Sequence, residues 1–370
     1  MNENQPDAPE LFTQRRIHRR DFVKGAALTG AALFGGGIAM AQNSSSAAPT
    51  DVVAPPPGRG ETNEQQVPQR PLGKTGLTVS ALSLGGFHLG AATDQKEATE
   101  IVHRAMDAGV NFFDNAWEYH DGESETRVGV ALKGRRDKAI VMTKVCTHGR
   151  GKDVAMRMLE ESLRRLQTDH LDVWQIHEVI YYNDPDLIFA PGGAAEALLE
   201  AKKQGKVRFI GFTGHKDPEI HLKMLSHDFP FDTIQMPLNC FDATFRSFAT
   251  QVLPEANRRQ LGVLGMKSLG GSGEMVTSGA ITPEEGLRYA MSLPVATTIS
   301  GVDSLTVLNQ NLAVARGFTP MSESEMATLR ERCRPLAGDG HLERFKTTKL
   351  YDGDPGREQH GYPSAKELPI

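Results

Sequence analysis

The chain has 370 residues, of which 39% are hydrophobic and 24% are charged, and its formal net charge is −5. This composition is typical of a soluble globular protein that is long enough to bury a sizeable core. The negative balance and the lack of a basic stripe argue against nucleic acid as a partner. Three scattered cysteines are too few for a disulfide framework or a cysteine metal site.

The N-terminus carries the pattern of an export signal. A basic segment precedes an Ala/Gly-rich apolar run over 25–39, which is too short and too weakly apolar to span a membrane comfortably. Ala39-Met40-Ala41 fits signal cleavage, and the segment RRDFVK at 19–24 resembles a twin-arginine signal. We therefore expect residues 1–41 to be a signal peptide that the twin-arginine export machinery reads. The mature protein would then be periplasmic, with no stable membrane span after cleavage; an uncleaved head is the alternative.

A linker and a hairpin follow the signal. Residues 42–68 are rich in Ser, Pro and Gln and lack apolar periodicity, which predicts a disordered linker. The run RPLGKTGLTV that begins at Arg70 places turn residues between apolar ones, which is typical of a β-hairpin.

Short apolar runs then alternate with segments of helical periodicity, and this alternation predicts a (β/α)8 TIM barrel of the α/β class. An open doubly wound sheet would be expected to show a Gly-rich phosphate turn after its first strand, and LGGFHLG at 84–90 is not a GxGxxG. The predicted strands are 79–85, 111–116, 139–145, 171–177, 207–213, 233–238, 261–266 and 297–302, and the predicted helices are 94–108, 124–133, 153–166, 193–204, 218–227, 245–259, 283–292 and 304–316.

An extra helix is predicted at 322–333, where Ser322 precedes an acid three residues later in a capping-box pattern. The barrel domain is therefore predicted over 69–334. The remaining residues, 335–370, are polar and irregular. They are either a solvated C-terminal tail or a cover over one face of the barrel.

Four polar side chains stand at or just after the ends of predicted strands, where active sites of such barrels lie. They are Asp114, Tyr119, Lys144 and His177. A lysine ammonium favours the phenolate of a nearby tyrosine and so lowers its pKa, while a carboxylate keeps the lysine charged. A histidine beside the phenol can orient a carbonyl oxygen. Each residue taken singly has an ordinary structural explanation, but the four together predict protonation of a carbonyl while a cofactor delivers hydride.

The chain resembles the aldo/keto reductase family from about Arg70 to Ala315. The matching segments are RPLGKTGLTVSALSLGG, NFFDNAWEY, VMTKV, LDVWQIHE and VLNQNL. The resemblance implies a (β/α)8 barrel that binds an extended nicotinamide dinucleotide, NAD(H) or NADP(H), without a Rossmann domain. It also places the catalytic tetrad of the family on Asp114, Tyr119, Lys144 and His177.

The same resemblance suggests a set of cofactor-binding positions with several departures from the family pattern. Thr213-Gly214-His215 replaces a Ser-Asn pair, and Met266 stands where a tyrosine often stacks on the nicotinamide; a methionine can also pack against a ring. The expected set is Gly86, Phe87, Thr213, Gly214, His215, Gln235, Met266, Lys267, Ser268, Leu269, Gly270, Gly301, Asp303 and Asn311, where Gln235 contacts the nicotinamide amide, 267–270 line the pyrophosphate and Asn311 contacts adenine.

The segment that would face the ribose 2′ position has no Lys or Arg from 299 to 315 and contains Asp303. A carboxylate is compatible with a 2′-hydroxyl and repels a 2′-phosphate. We therefore expect NAD(H) to bind at least as well as NADP(H), unless Lys267 reaches the phosphate.

The substrate residues are less specific. His88, Trp117, His120 and His148 lie in loops over the same end of the barrel, which suits a carbonyl or polyol substrate or simply loop packing. Two other functions stay open: a non-catalytic barrel that keeps a nicotinamide as a sensor or structural ligand, and a metal-dependent hydrolase. The hydrolase is disfavoured because no HxH pair ends the first strand, and we predict no metal.

Overall fold

The structure is a computed structural model that describes residues 66–146 and 151–364. The predicted signal peptide, most of the predicted linker and His148 lie outside the described residues. The three residues of that linker that are described, 66–68, do not behave as a linker. Val67 is buried, and its backbone N–H donates to the carbonyl oxygen of Ala108 at 2.9 Å. Residues 66–68 therefore belong to the packed barrel.

Eight parallel strands form a closed barrel, in which each strand pairs with the strands before and after it along the chain and the last pairs with the first. This confirms the predicted (β/α)8 architecture. Every predicted strand is present, shifted by a few residues at most. The barrel strands are β3 Leu82–Gly85, β4 Phe112–Asp114, β5 Ile140–Val145, β6 Leu171–Ile176, β7 Val207–Thr213, β8 Thr233–Pro237, β9 Gly262–Met266 and β10 Thr297–Gly301.

The predicted hairpin is formed by β1 (Gln69–Pro71) and β2 (Thr78–Ser80), which pair antiparallel. Between them, Leu72 is fully buried in a cluster with inward-facing side chains of the barrel strands, such as Phe112 and Val173. The N–H of Lys74 donates to the carbonyl oxygen of Gln260, just before β9 begins. The hairpin therefore closes the amino-terminal end of the barrel and leaves the opposite end for a site.

Helices follow the strands, largely as the periodicity predicts. The one predicted helix over 245–259 is divided in two near Pro254, because a proline has no N–H to continue the hydrogen-bond ladder of a helix. The helices are α1 Gly86–Gly90, α2 Gln95–Asp107, α3 Glu123–Ala131, α4 Lys152–Leu166, α5 Asp184–Phe189, α6 Ala194–Lys203, α7 Pro218–Ser226, α8 Phe248–Gln251, α9 Leu253–Arg258, α10 Glu274–Thr277, α11 Pro283–Ser292, α12 Leu305–Arg316, α13 Glu323–Ala337, α14 Arg344–Thr347 and α15 Asp354–Gln359. Among the described residues, no helix combines the length and the apolar character that a membrane crossing needs.

The C-terminal segment packs against the barrel. Helix α13 has the predicted capping box at Ser322 and continues through Pro335. Beyond it, Phe345, Lys346 and Arg357 are buried, and the N–H of Gly353 donates to Glu178 Oε2 at 2.7 Å, one residue after His177. The segment is therefore a cover rather than a solvated tail. We call residues 338–364 the C-terminal cover.

A buried histidine in α7 makes the stability of this fold sensitive to acid. The imidazole of His221 is fully buried between Phe212 and Phe248, and burial lowers its pKa to about 4. The unfolded chain takes up a proton near pH 6.5, so the stability that this residue contributes is present above pH 6.5 and is lost as the pH falls toward 4. The expected loss between pH 7.5 and 5 is about 2 kcal/mol.

Urea unfolding at the two pH values tests this expectation. His221→Gln should reduce the fall in the free energy of unfolding from pH 7.5 to 5 by about 2 kcal/mol. The exposed His227 provides the matched control, since His227→Gln should leave the fall unchanged. An equal fall in the wild type and in His221→Gln would contradict the argument.

Candidate active site

The barrel brings together the four side chains that the sequence singles out. Asp114 ends β4, Lys144 lies near the end of β5, and His177 follows β6 directly. Tyr119 begins a short 3₁₀ turn after β4. Because β4, β5 and β6 are neighbours in parallel register, the carboxyl ends of these strands place the four groups on one side of the barrel rim.

Lys144 is the centre of this group. Its Nζ lies 2.5 Å from Asp114 Oδ1, 2.6 Å from the carbonyl oxygen of Asn115 and 3.3 Å from Tyr119 Oη. The side chains of Lys144 and Asp114 are only 1% and 5% exposed. All three ammonium protons therefore have acceptors, which is the condition under which a buried ion pair is tolerated.

The electrostatics of Tyr119 differ from the expectation. Burial, together with the carboxylates of Asp114, Glu118 and Glu178, raises the pKa of Tyr119 well above its ordinary value. The expected net fall in this pKa is therefore not found, because burial is the largest influence and the neighbouring carboxylates add to it. Tyr119 is a protonated phenol at neutral pH and can act as a proton donor.

Glu118 is a site residue that the sequence reasoning missed. Its carboxylate is in contact with Nδ1 of His177, and the rings of His177 and Tyr119 meet edge to face with centroids 5.6 Å apart. Although burial raises it, His177 and Lys144 hold the pKa of Glu118 below its ordinary value. The available signal was an acidic residue directly before Tyr119, on the loop that carries the phenol.

Glu178 adds a third carboxylate behind His177. Its backbone is in the left-handed region, with φ of 51°, a conformation that non-glycine residues adopt mainly where the surrounding structure imposes it. Burial raises its pKa to about 7. One ligand atom from each of Glu118, His177 and Glu178 lies within 4.8 Å of the others, a spacing that a divalent cation could use. Such an ion would bind the imidazole of His177, which is also a member of the predicted tetrad.

The cofactor residues predicted from β7 and β8 lie at the same end of the barrel. Thr213 ends β7, and Gly214 and the buried His215 follow it. Gln235 in β8 donates from Nε2 to Asp114 Oδ2 at 3.1 Å, and its buried Oε1 has no hydrogen-bond donor within 66–146 and 151–364. An orphaned acceptor in this position fits the N–H group of a carboxamide. Burial lowers the pKa of His215 to about 3, so its imidazole is neutral.

The loop after β9 contacts the C-terminal cover. Lys267, expected to line a pyrophosphate, lies with Nζ 5.3 Å from the ring centroid of Phe345 and 4.9 Å from that of Tyr351, both in the C-terminal cover. Burial lowers its pKa to about 8. Tyr351 also hydrogen-bonds to Glu274 Oε1 at 2.7 Å. A Cβ at Gly271 would lie 2.2 Å from the Tyr351 hydroxyl, so the loop admits this ring only because residue 271 is a glycine. Other predicted members of this loop adjoin Lys267: Met266, Ser268, Leu269 and Gly270.

The side chains near β10 have internal partners. Asn311, the predicted adenine contact, is buried and donates to Ser300 Oγ at 3.0 Å. Asp303 is partly buried and accepts from Ser304 Oγ at 3.3 Å. A Cβ at Gly301 would lie 2.1 Å from His88 Nδ1, so His88 packs directly on the end of β10.

Two of the predicted substrate residues lie in different surroundings. The ring of His120 packs against that of Phe87, a predicted cofactor residue that is 53% exposed, with centroids 4.9 Å apart, and the ring of Phe87 also packs against Tyr119 at 5.4 Å. Gly86 begins α1 just before Phe87. Trp117 instead donates from Nε1 to Glu161 Oε2 in α4 at 2.8 Å, which makes the indole a packing contact with that helix. His148 lies outside the described residues.

The chain is similar to known proteins in sequence and in fold. A family model described as the aldo/keto reductase family matches residues 81–282, more than half of the chain. Aldo-keto reductase YhdN of Bacillus subtilis is 32% identical over 204 residues, which is 51% of this chain and 58% of that protein. The holo form of aldo-keto reductase AKR11C1 from Bacillus halodurans superposes with a TM-score of 0.61 at 24% identity, covering 72% of this chain and 96% of that one. An aldo/keto reductase from Klebsiella pneumoniae, solved with NADP and acetate, gives 0.57 at 23% identity, covering 72% and 95%.

Proposed function

The chain belongs to the aldo/keto reductase family, and from this premise we propose that it is an NAD(P)(H)-dependent oxidoreductase that interconverts an aldehyde or ketone with the alcohol. The observation that carries the proposal is the triple contact of Lys144, which joins Asp114, Asn115 and Tyr119 at a barrel rim. Membership of this family does not favour the hydrolase or the non-catalytic sensor.

Tyr119 is the proton donor in the direction of reduction. Its hydroxyl proton passes to the carbonyl oxygen, and the ammonium of Lys144, 3.3 Å away, stabilises the phenolate that forms. Asp114 keeps Lys144 charged in a buried position. In the direction of oxidation the phenolate takes the proton back from the alcohol.

His177 orients the carbonyl, and Glu118 orients His177. A carboxylate in contact with Nδ1 fixes the plane of the imidazole. The other ring nitrogen, Nε2, is then left for the carbonyl oxygen. A small carbonyl or polyol substrate would approach past Phe87, which is exposed beside Tyr119.

A bound nicotinamide dinucleotide supplies or accepts the hydride. Thr213, Gln235 and Met266 are the residues that would hold its nicotinamide end. The buried Oε1 of Gln235, which lacks a donor among the described residues, supports this assignment. Support from solved structures is limited to fold, since the Klebsiella pneumoniae protein that binds NADP is 23% identical.

We predict that Tyr119→Phe lowers the turnover of aldehydes and sugar aldehydes by about 10²–10⁴-fold, because the phenyl ring has no hydroxyl proton to donate. Cofactor affinity, measured by fluorescence titration, should stay within about twofold, since the change removes one hydroxyl oxygen at the substrate side. Tyr182→Phe is the control, because Tyr182 is exposed and hydrogen-bonds to Asp217 away from Lys144. A Tyr119→Phe enzyme within tenfold of the wild type would exclude Tyr119 as the donor.

We predict that Glu118→Gln lowers kcat by about 10–100-fold with a smaller change in KM, as is usual when the partner of an active-site histidine is replaced. Steady-state kinetics at saturating cofactor provide the measurement. Glu123→Gln is matched in chemistry, and Glu123 is exposed and paired with Arg127, so that variant should behave as the wild type does. An unchanged kcat for Glu118→Gln would show that the contact with His177 has no part in the reaction.

We predict that NADH binds at least as tightly as NADPH, because residues 299–315 contain no Lys or Arg and place Asp303 at the start of α12. The two Kd values can be compared by fluorescence titration. Asp303→Asn should tighten NADPH binding more than NADH binding, since it removes a charge that repels the 2′-phosphate. Tenfold tighter binding of NADPH than of NADH by the wild type would contradict the predicted cofactor preference.

A further inference from the structure

The fold brings together two cysteines that look scattered in the sequence. Cys240 follows β8, and Cys333 lies in α13, 93 positions later. Their Sγ atoms are 3.6 Å apart, and the residues are 1% and 0% exposed. Both lie in a buried apolar cluster, while Cys146 belongs to the main cluster of the barrel. Sequence spacing alone gave no indication of this pair.

The two sulfurs are close enough to react with one another. A separation of 3.6 Å is van der Waals contact between sulfurs, and a disulfide bond requires about 2.05 Å. Because both side chains are buried in the folded protein, an external disulfide reaches them while the chain folds or when this region opens.

We propose that Cys240 and Cys333 form a disulfide bond that ties α13, and with it the C-terminal cover, to the loop after β8. Before this cluster closes, the thiolate of one cysteine attacks an external disulfide such as oxidised glutathione and releases one glutathione thiolate. The other cysteine then loses its proton and attacks the mixed disulfide, releasing the second glutathione. Two protein thiols are oxidised by two electrons, and one external disulfide is reduced to two thiols.

The same loop is joined to the cover at two further points. Asn239 Nδ2 donates to Glu343 Oε1 at 3.2 Å, and Lys346 Nζ donates to Asp242 Oδ1 at 2.7 Å. Residues 239–242 are therefore the anchor of the cover, and the disulfide adds a covalent link at that anchor. Its occurrence in the cell rests on the export that residues 19–41 predict, because structural disulfides persist in oxidising compartments; its chemistry does not rest on the proposed function.

The full chain, reduced and unfolded and then refolded with excess oxidised glutathione, tests the proposal. After alkylation with N-ethylmaleimide in denaturant, intact mass should show one label, and peptide mapping should place it on Cys146 and show a reducible Cys240–Cys333 peptide. Three labels, a stable glutathione adduct, or a disulfide that includes Cys146 would overturn the proposal.

Single variants show which two thiols form the bond. Cys146→Ser should retain the Cys240–Cys333 peptide and show no label, whereas Cys240→Ala and Cys333→Ala should each show two labels. If either alanine variant does not refold, the labelling pattern of the wild type still decides between the outcomes. Loss of the Cys240–Cys333 peptide in Cys146→Ser would mean that the link forms only through Cys146, which contradicts direct exchange between the two.

Discussion

The arrangement of this site depends on one buried ion pair, between Lys144 and Asp114. Two charges can be removed from water at the end of a barrel strand only if their remaining hydrogen-bonding atoms also find partners. The carbonyl oxygen of Asn115 and the amide of Gln235 provide these, at 2.6 and 3.1 Å. Gln235 comes from the sixth barrel strand, β8, so the pair draws on strands from across the barrel. A local change in strand register would leave at least one of these charges without its partner.

The rim around this ion pair carries more carboxylates than the ammonium can offset. Three carboxylates, Asp114, Glu118 and Glu178, surround the phenol of Tyr119, and Lys144 offsets chiefly the first of them. Burial, together with this excess of negative charge, raises the pKa of Tyr119 and brings the pKa of Glu178 to about 7. Tyr119 is therefore a protonated phenol in the resting site.

Much of this was readable from the sequence, and the limits have physical causes. The eight barrel strands are near-continuous apolar runs bounded by turn residues, so their existence and order can be predicted from the local sequence pattern. The four predicted tetrad residues could be found because they lie at or just after the ends of these strands. Glu118 was not found because the direction of a loop side chain depends on tertiary contacts. The Cys240–Cys333 contact was missed for a related reason, since it joins segments 93 residues apart, and the choice between a tail and a cover for the last residues could not be made because it depends on the same kind of long-range contact. Pro335 looks like a helix end, but Cys333 and Ala337 are buried on the same helix, and their packing carries α13 past it.

Side chains of the cover contact the loop after β9, which is predicted to line the pyrophosphate. These contacts restrict how a dinucleotide could lie there. The first half of the cover is fixed, because Lys346 is fully buried between Asp242 and Glu343. The second half is also held by several contacts, among them Tyr351 with Glu274, Gly353 with Glu178 and Asp352 with Lys216. An ammonium held by two aromatic rings has lost much of its water, so an anion that reached Lys267 would meet a partly desolvated charge and interact with it strongly. Any cofactor that uses Lys267 therefore binds beneath Phe345 and Tyr351 or displaces them. In either case a cofactor at Lys267 would have to accommodate the cover as well as the barrel.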